Sequence, residues 1–106
     1  MEWNKLKDIP PEEYIRCVEV AEHAIGLDGC GKVFKRDGYK FYRPYRNYYY
    51  TTIGDKHWLL LEKAGYAKHY AVQEDQTGER MTNYCLTPDG LQWLTIEKTI
   101  CICLTH

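Results

Sequence analysis

The sequence predicts an α+β fold in a single domain, and three observations carry that reading. Three segments repeat apolar residues at helical spacing, each beside a helix start or stop signal. A strand, a polar turn and a second strand stand between the second and third of these. The chain's 106 residues, 44% hydrophobic and 27% charged, suit one compact core and exclude wholesale disorder, collagen and coiled coil. The domain is expected to span residues 1–106, with 99–106 as a C-terminal tail.

The first helix is expected over residues 10–25. Asp8 and the Pro10-Pro11 pair set its start, and Glu12 and Glu13 suit the positive end of its dipole. Tyr14, Cys17, Val18, Ala21, Ala24 and Ile25 form a core-facing stripe. Glu12, Arg16, Glu19 and His23 take the polar side, with Glu12 and Arg16 as an i,i+4 pair and His23 as a solvated residue. Gly26 supplies the left-handed stop.

Asp37-Gly38 between VFKR and YKFY signals a hairpin, because glycine tolerates the positive φ of a tight turn. Pro44 breaks that run, Tyr45 to Tyr50 reads as extended or as a short helical turn, and no helix of normal length fits between Lys32 and Tyr50. The second helix is expected at about 54–64, capped by the Thr52/Asp55 pair and ended by Gly65, with Ile53, Trp58, Leu61 and Ala64 facing inward. Tyr66–Val72 and Thr82–Leu86 are strand-like around a turn at Gln76–Gly78. Thr87 as N-cap and Pro88 at the first helical position open a third helix with Leu91, Trp93 and Leu94 as apolar contacts. Residues 99–104 read as a short strand or as more helix.

Charge is unevenly placed. The net value is −1, yet residues 30–50 carry six basic groups against one acidic, while the flanking segments are acidic. Aromatic residues reach 14%, ten of them tyrosine. Lys35, Arg36, Lys40, Arg43 and Arg46 interleave with Tyr45 and Tyr48, and Lys56 and Lys63 lie on the outer side of the second helix. Cations neutralise phosphates while aromatic faces stack on bases, so the mixture suits nucleic acid. Tyr and Arg also anchor protein interfaces, and some of the tyrosines are expected simply to be core. These nine residues are the candidate contacts with either DNA or a protein partner.

Catalytic signals are sparse: no G-x-S-x-G, no phosphate loop and no H-E-x-x-H occurs. His57 and His69 read as surface or packed histidines, and the pairs Glu12/Glu13 and Glu74/Asp75 as solubilising charge. The expectation is a non-enzymatic chain with no catalytic residue, no cofactor and no small-molecule substrate. The five cysteines include no C-x-x-C pair, so they are expected reduced, with Cys17 and Cys85 buried. Cys101, Cys103 and His106 give three potential zinc ligands without an obvious fourth, so no metal site is expected. No apolar run approaches the roughly 18 residues of a spanning helix, and MEWNKLKDIPPEE lacks the apolar stretch of a signal peptide, which predicts a cytoplasmic protein that leaves membranes alone.

The run LLLEKAGYAKHY followed by YCLTPDGLQWL resembles the ending of many winged helix-turn-helix domains, where a helix stops at Ala-Gly, a β-hairpin wing follows and Leu-Thr-x-x-Gly opens the closing helix. That resemblance covers residues 53–95 and implies a DNA-binding or regulatory role. Two features depart from it: the segment before Trp58 is short for the usual second helix, and the wing carries Glu74, Asp75 and Glu79. The order AEHAIGL, YRNYYYT, GYA, LTPDG is also similar to small proteins of phages and prophages, which implies a mobile-element origin and the cytoplasm of a bacterial host, with no assigned activity.

Overall fold

The computed structural model describes residues 5–6, 8–27 and 33–102. Helix α1 (Pro11–Ala24) is followed by strands β1 (Phe34–Arg36), β2 (Tyr39–Tyr42) and β3 (Tyr49–Thr52), then helix α2 (Lys56–Lys63). Strands β4 (Ala67–Glu74) and β5 (Arg80–Leu86), helix α3 (Pro88–Lys98) and strand β6 (Cys101–Ile102) complete the order. The class is α+β, with three helices and two small sheets among the described residues: β1-β2-β6 and β3-β5-β4. No helix among them is long and apolar enough to cross a membrane.

Several starts and stops follow the expected chemistry. Gly26, at φ +78°, and Gly65, at φ +81°, end α1 and α2 in the left-handed region. Thr87 caps α3, accepting the Gly90 N–H at 3.1 Å, with Pro88 in the first turn. Asp37 and Gly38 both take positive φ and join β1 to β2, whose pairing is antiparallel. The β4–β5 hairpin forms as expected, and the Asp75 carboxylate organises its turn by accepting the Thr77 N–H at 2.8 Å and the Glu79 N–H at 2.9 Å. The Thr77 hydroxyl and these amide donors hold that carboxyl below the usual range.

Four expectations are corrected. Asp55 itself caps α2, accepting from the His57 and Trp58 N–H groups at 3.2 and 3.3 Å. Thr52 cannot cap because it lies in β3, opposite Met81 of β5. Asp8 makes no cap on α1; Pro10 occupies that position with no side-chain hydrogen bond. Arg16 pairs with Glu19, at 3.1 Å, instead of Glu12. His23, although exposed, sets its ring edge-on to Tyr49 at 5.3 Å between centroids, so it is not merely solvated.

The core joins all three helices to the inner face of β5. Cys17, Ala21 and Ala24 from α1 meet Trp58 and Leu61 from α2, Trp93 and Leu94 from α3, and Tyr84 and Leu86 from β5. Trp58 stacks on Tyr84 at 5.3 Å, and Trp93 stacks on Tyr66 at 5.2 Å. The Trp93 indole N–H donates to the Tyr14 hydroxyl at 3.1 Å, and that hydroxyl in turn donates to Glu97. Gly90 answers a packing demand: a Cβ there would stand 2.0 Å from the Tyr66 carbonyl oxygen. Only a bare backbone lets the first turn of α3 lie against the start of β4.

Residues 101–102 pair in parallel with β2, and Ile102 is buried, so this part of the expected tail belongs to a sheet. Cys103 and His106, two of the three potential zinc ligands, lie outside the described residues.

Candidate functional site

Segment 33–52 is docked onto the end of α1, because helix termini leave carbonyls without intrahelical donors. Three consecutive carbonyls there find partners in this segment. Arg46 Nη2 donates to His23 O at 2.7 Å, the Tyr48 N–H donates to Ala24 O at 3.0 Å, and the Tyr42 hydroxyl donates to Ile25 O at 2.7 Å. The Arg46 cation also suits the negative end of the helix dipole. Its guanidinium carbon lies 5.3 Å from the Tyr45 ring centroid and 5.9 Å from that of Tyr48. Tyr45, 60% exposed, also lies over Gly26, where an added Cβ would come within 2.5 Å of the ring. Asn47 completes the docking, donating to Leu86 O and accepting the Leu86 N–H, each at 2.9 Å.

The nine residues singled out in the sequence are spread over several elements. Lys35, Arg36 and Lys40 sit exposed on the β1–β2 hairpin, where Lys35 stands directly opposite Lys40. Tyr45, Arg46 and Tyr48 form the cluster at the end of α1, while Arg43 is exposed beyond β2. Lys56, although exposed, is ion-paired: its Nζ meets Glu13 at 3.0 Å, and His57 Nε2 meets the other oxygen of the same carboxylate at 2.9 Å. The Lys56 hydrogen bond, with a contribution from His57, holds the Glu13 carboxyl below the usual range. Lys63 is exposed in the last turn of α2, with no acidic partner among the described residues. The candidate residues thus belong to the β1–β2 hairpin, the segment docked on the end of α1, and α2.

Other members of the surface emerge only from strand pairing. Thr82, Tyr84 and Leu86 of β5 face the core, so Met81 and Asn83 face out, next to Thr52 and Tyr50 of β3. On the far side, Tyr70 pairs with Asn83, and Gln73 pairs with Met81. A bulge at Ala71 and Val72 brings Tyr70 and Gln73 onto one face despite their odd spacing, and Ala71 takes φ +58° there. The Gln73 amide donates to the Tyr50 hydroxyl at 3.3 Å across the sheet. Tyr50 and Tyr70 are each 47% exposed. Tyr70, Gln73 and Asn83 stand in no motif; the available sequence signal was Lys68-x-Tyr70 alternation, cut short by the bulge.

A cleft of about 620 Å³ between α1 and β3 is lined by Arg16, Glu19, Glu22, His23, Asp55 and His57. No group of three potential metal ligands occurs among the described residues. Cys17 of α1 is buried, and this burial, with the Glu13 and Asp55 carboxylates nearby, pushes its thiol up to about 11. The chain matches no protein-family model, and no curated protein or solved structure matches it.

Proposed function

We propose that this chain is a small non-enzymatic nucleic-acid-binding or regulatory module on a winged-helix-like plan, of phage or prophage origin, acting in the cytoplasm of a bacterial host. The observation that carries the reading is Lys35 directly opposite Lys40 on an exposed hairpin, with Arg36 between Lys35 and the turn. Like charges facing each other across a ladder destabilise it. A polyanion placed over the pair reverses the sign of that cost, and counterion release adds to affinity. The order of α2, a left-handed Gly65, the β4–β5 hairpin and a Thr87-capped α3 supports the winged-helix plan. A single eight-residue helix between β3 and β4, and an acidic hairpin turn, favour contact through other surfaces than a recognition helix and wing tip.

Binding should be mainly electrostatic. Affinity for nucleic acid should fall steeply with salt, and Lys35→Ala with Lys40→Ala should flatten that slope by about one unit per lost phosphate contact. Binding no tighter than millimolar at low salt removes the reading.

A second reading, an interaction module or inhibitor for a host or phage protein, is favoured by one specific observation. Arg46 and Lys56 are engaged within the chain, by His23 O and Glu13, and are thus less available to phosphate. A salt-resistant capture lost on Tyr45→Ala or Tyr48→Ala would support this alternative.

A further inference from the structure

We infer that the outer face of the β3-β5-β4 sheet is a platform for single-stranded nucleic acid, with Tyr50 and Tyr70 each stacking on one unpaired base. The inference rests on the nucleic-acid reading and names both the site and the strand state of the ligand.

Tyr50, Asn83 and Tyr70 occupy one cross-strand row in the order β3, β5, β4. Adjacent strands lie about 4.8 Å apart, so the two tyrosines are separated by roughly two such spacings, room for two separate unstacked bases with an amide between them. Asn83 and Gln73 supply both donors and acceptors for base edges beside the rings. Within a duplex those base faces are covered by their neighbours, so this arrangement selects unpaired strands.

Charge orients the strand. The residues on this face in the ladder rows are Tyr50, Thr52, Lys68, Tyr70, Gln73, Met81, Asn83 and the buried Cys85, and none is acidic. Lys68 is exposed at the end of this face nearer Leu86. Glu74, Asp75 and Glu79 gather at the opposite end, by the hairpin turn, against the single cation Arg80 opposite Glu74. Phosphates are therefore held at the Lys68 end and repelled from the turn. The Ala71 bulge is a second, independent sign. A non-glycine residue at φ +58° is a local cost, and its result is that Gln73 joins Tyr70 and Tyr50 on the face.

The test is fluorescence anisotropy on the full chain with short labelled oligo-dT, oligo-rU, an abasic oligomer of equal length and a mixed-sequence duplex. Binding of the base-bearing single strands should exceed that of the abasic oligomer and of the duplex. Comparison of oligo-dT with oligo-rU assigns the ligand to DNA or RNA. Tyr50→Ala and Tyr70→Ala should each weaken single-strand binding by roughly 5- to 100-fold, and the Phe variants should retain it. Lys68→Ala should flatten the salt slope by about 0.7 of a unit. Circular dichroism melts of every variant check that the fold is kept.

Equal binding of abasic and base-bearing strands, or tyrosine variants that fold and bind normally, overturns the platform. If duplex binds best and only Lys35→Ala and Lys40→Ala weaken it, the platform fails while the broader nucleic-acid reading stands. If no oligonucleotide binds, both fail. A protein captured through Tyr50 in the absence of oligonucleotide binding also overturns the platform and assigns the face to a protein partner.

Discussion

The two faces of the β3-β5-β4 sheet use the same residue type to opposite ends. On the inner face, Tyr84 is buried, stacks on Trp58 and accepts the Gly54 N–H through its hydroxyl at 2.9 Å. On the outer face, Tyr50 and Tyr70 stand half in solvent, one residue out of phase along their strands. A one-residue step is thus the difference between holding the core and facing solvent, because strand side chains alternate between faces. Tyrosine serves both, since its ring is apolar and its tip is polar.

The largest test of that contrast is Trp58→Ala, which removes the partner of Tyr84 and should cost about 3–5 kcal/mol in urea unfolding. A loss below about 1 kcal/mol would show that the inner face is not the packed one. Gly90→Ala probes the same packing from the α3 side. Its Cβ would enter the space of the Tyr66 carbonyl, so a loss of about 1–3 kcal/mol or more is expected in the same melts. Tyr84→Phe keeps the ring and removes only the acceptor of the Gly54 N–H, for about 1 kcal/mol. Tyr50→Ala and Tyr70→Ala should change stability by only about 0.5 kcal/mol each, as exposed substitutions do. A loss as large as that of Trp58→Ala would erase the distinction between the faces.

Acid should loosen the clamp between α1 and α2. The Glu13 carboxyl is held below its ordinary range by Lys56 and His57, so its contribution is present above the unfolded-state pKa and lost as pH falls through the folded one. Acid titration followed by circular dichroism should show a shallower stability loss in Glu13→Gln than in the parent chain. The smallest effect is chemical: brief alkylation followed by peptide mapping should modify exposed Cys101 before buried Cys17 and Cys85. Burial raises both buried thiols, and for Cys17 the value reaches about 11.

Much of the architecture was legible because its signals are local. The stripe from Tyr14 to Ile25, the Gly26 and Gly65 stops, the Asp37-Gly38 turn and the Thr87-Pro88 start each act within a few residues. The candidate site was legible only in part. The sequence located a basic, tyrosine-rich segment, but charge and aromaticity alone do not reveal that Arg46 would be used on His23 O, or that Lys56 would be taken by Glu13, a residue 43 positions away.

Residue by residue, then, the sequence determined the Asp37-Gly38 turn, the Gly26 and Gly65 helix stops, the Thr87-Pro88 start of α3, and that its fold is α+β. Tertiary structure alone decided that β3 pairs with β5, since that register is set by two segments distant in the chain. From this pairing follow the move of the α2 cap to Asp55, the sorting of Tyr49 inward and Tyr50 outward, and the meeting of Tyr50 with Tyr70. The need for glycine at position 90 arises in the same way, from a Tyr66 carbonyl brought against it by packing. Turns and caps are local hydrogen-bond and dihedral problems that a few neighbouring residues solve. Register and close approach depend on which distant surfaces share a core, and only the folded chain brings those together.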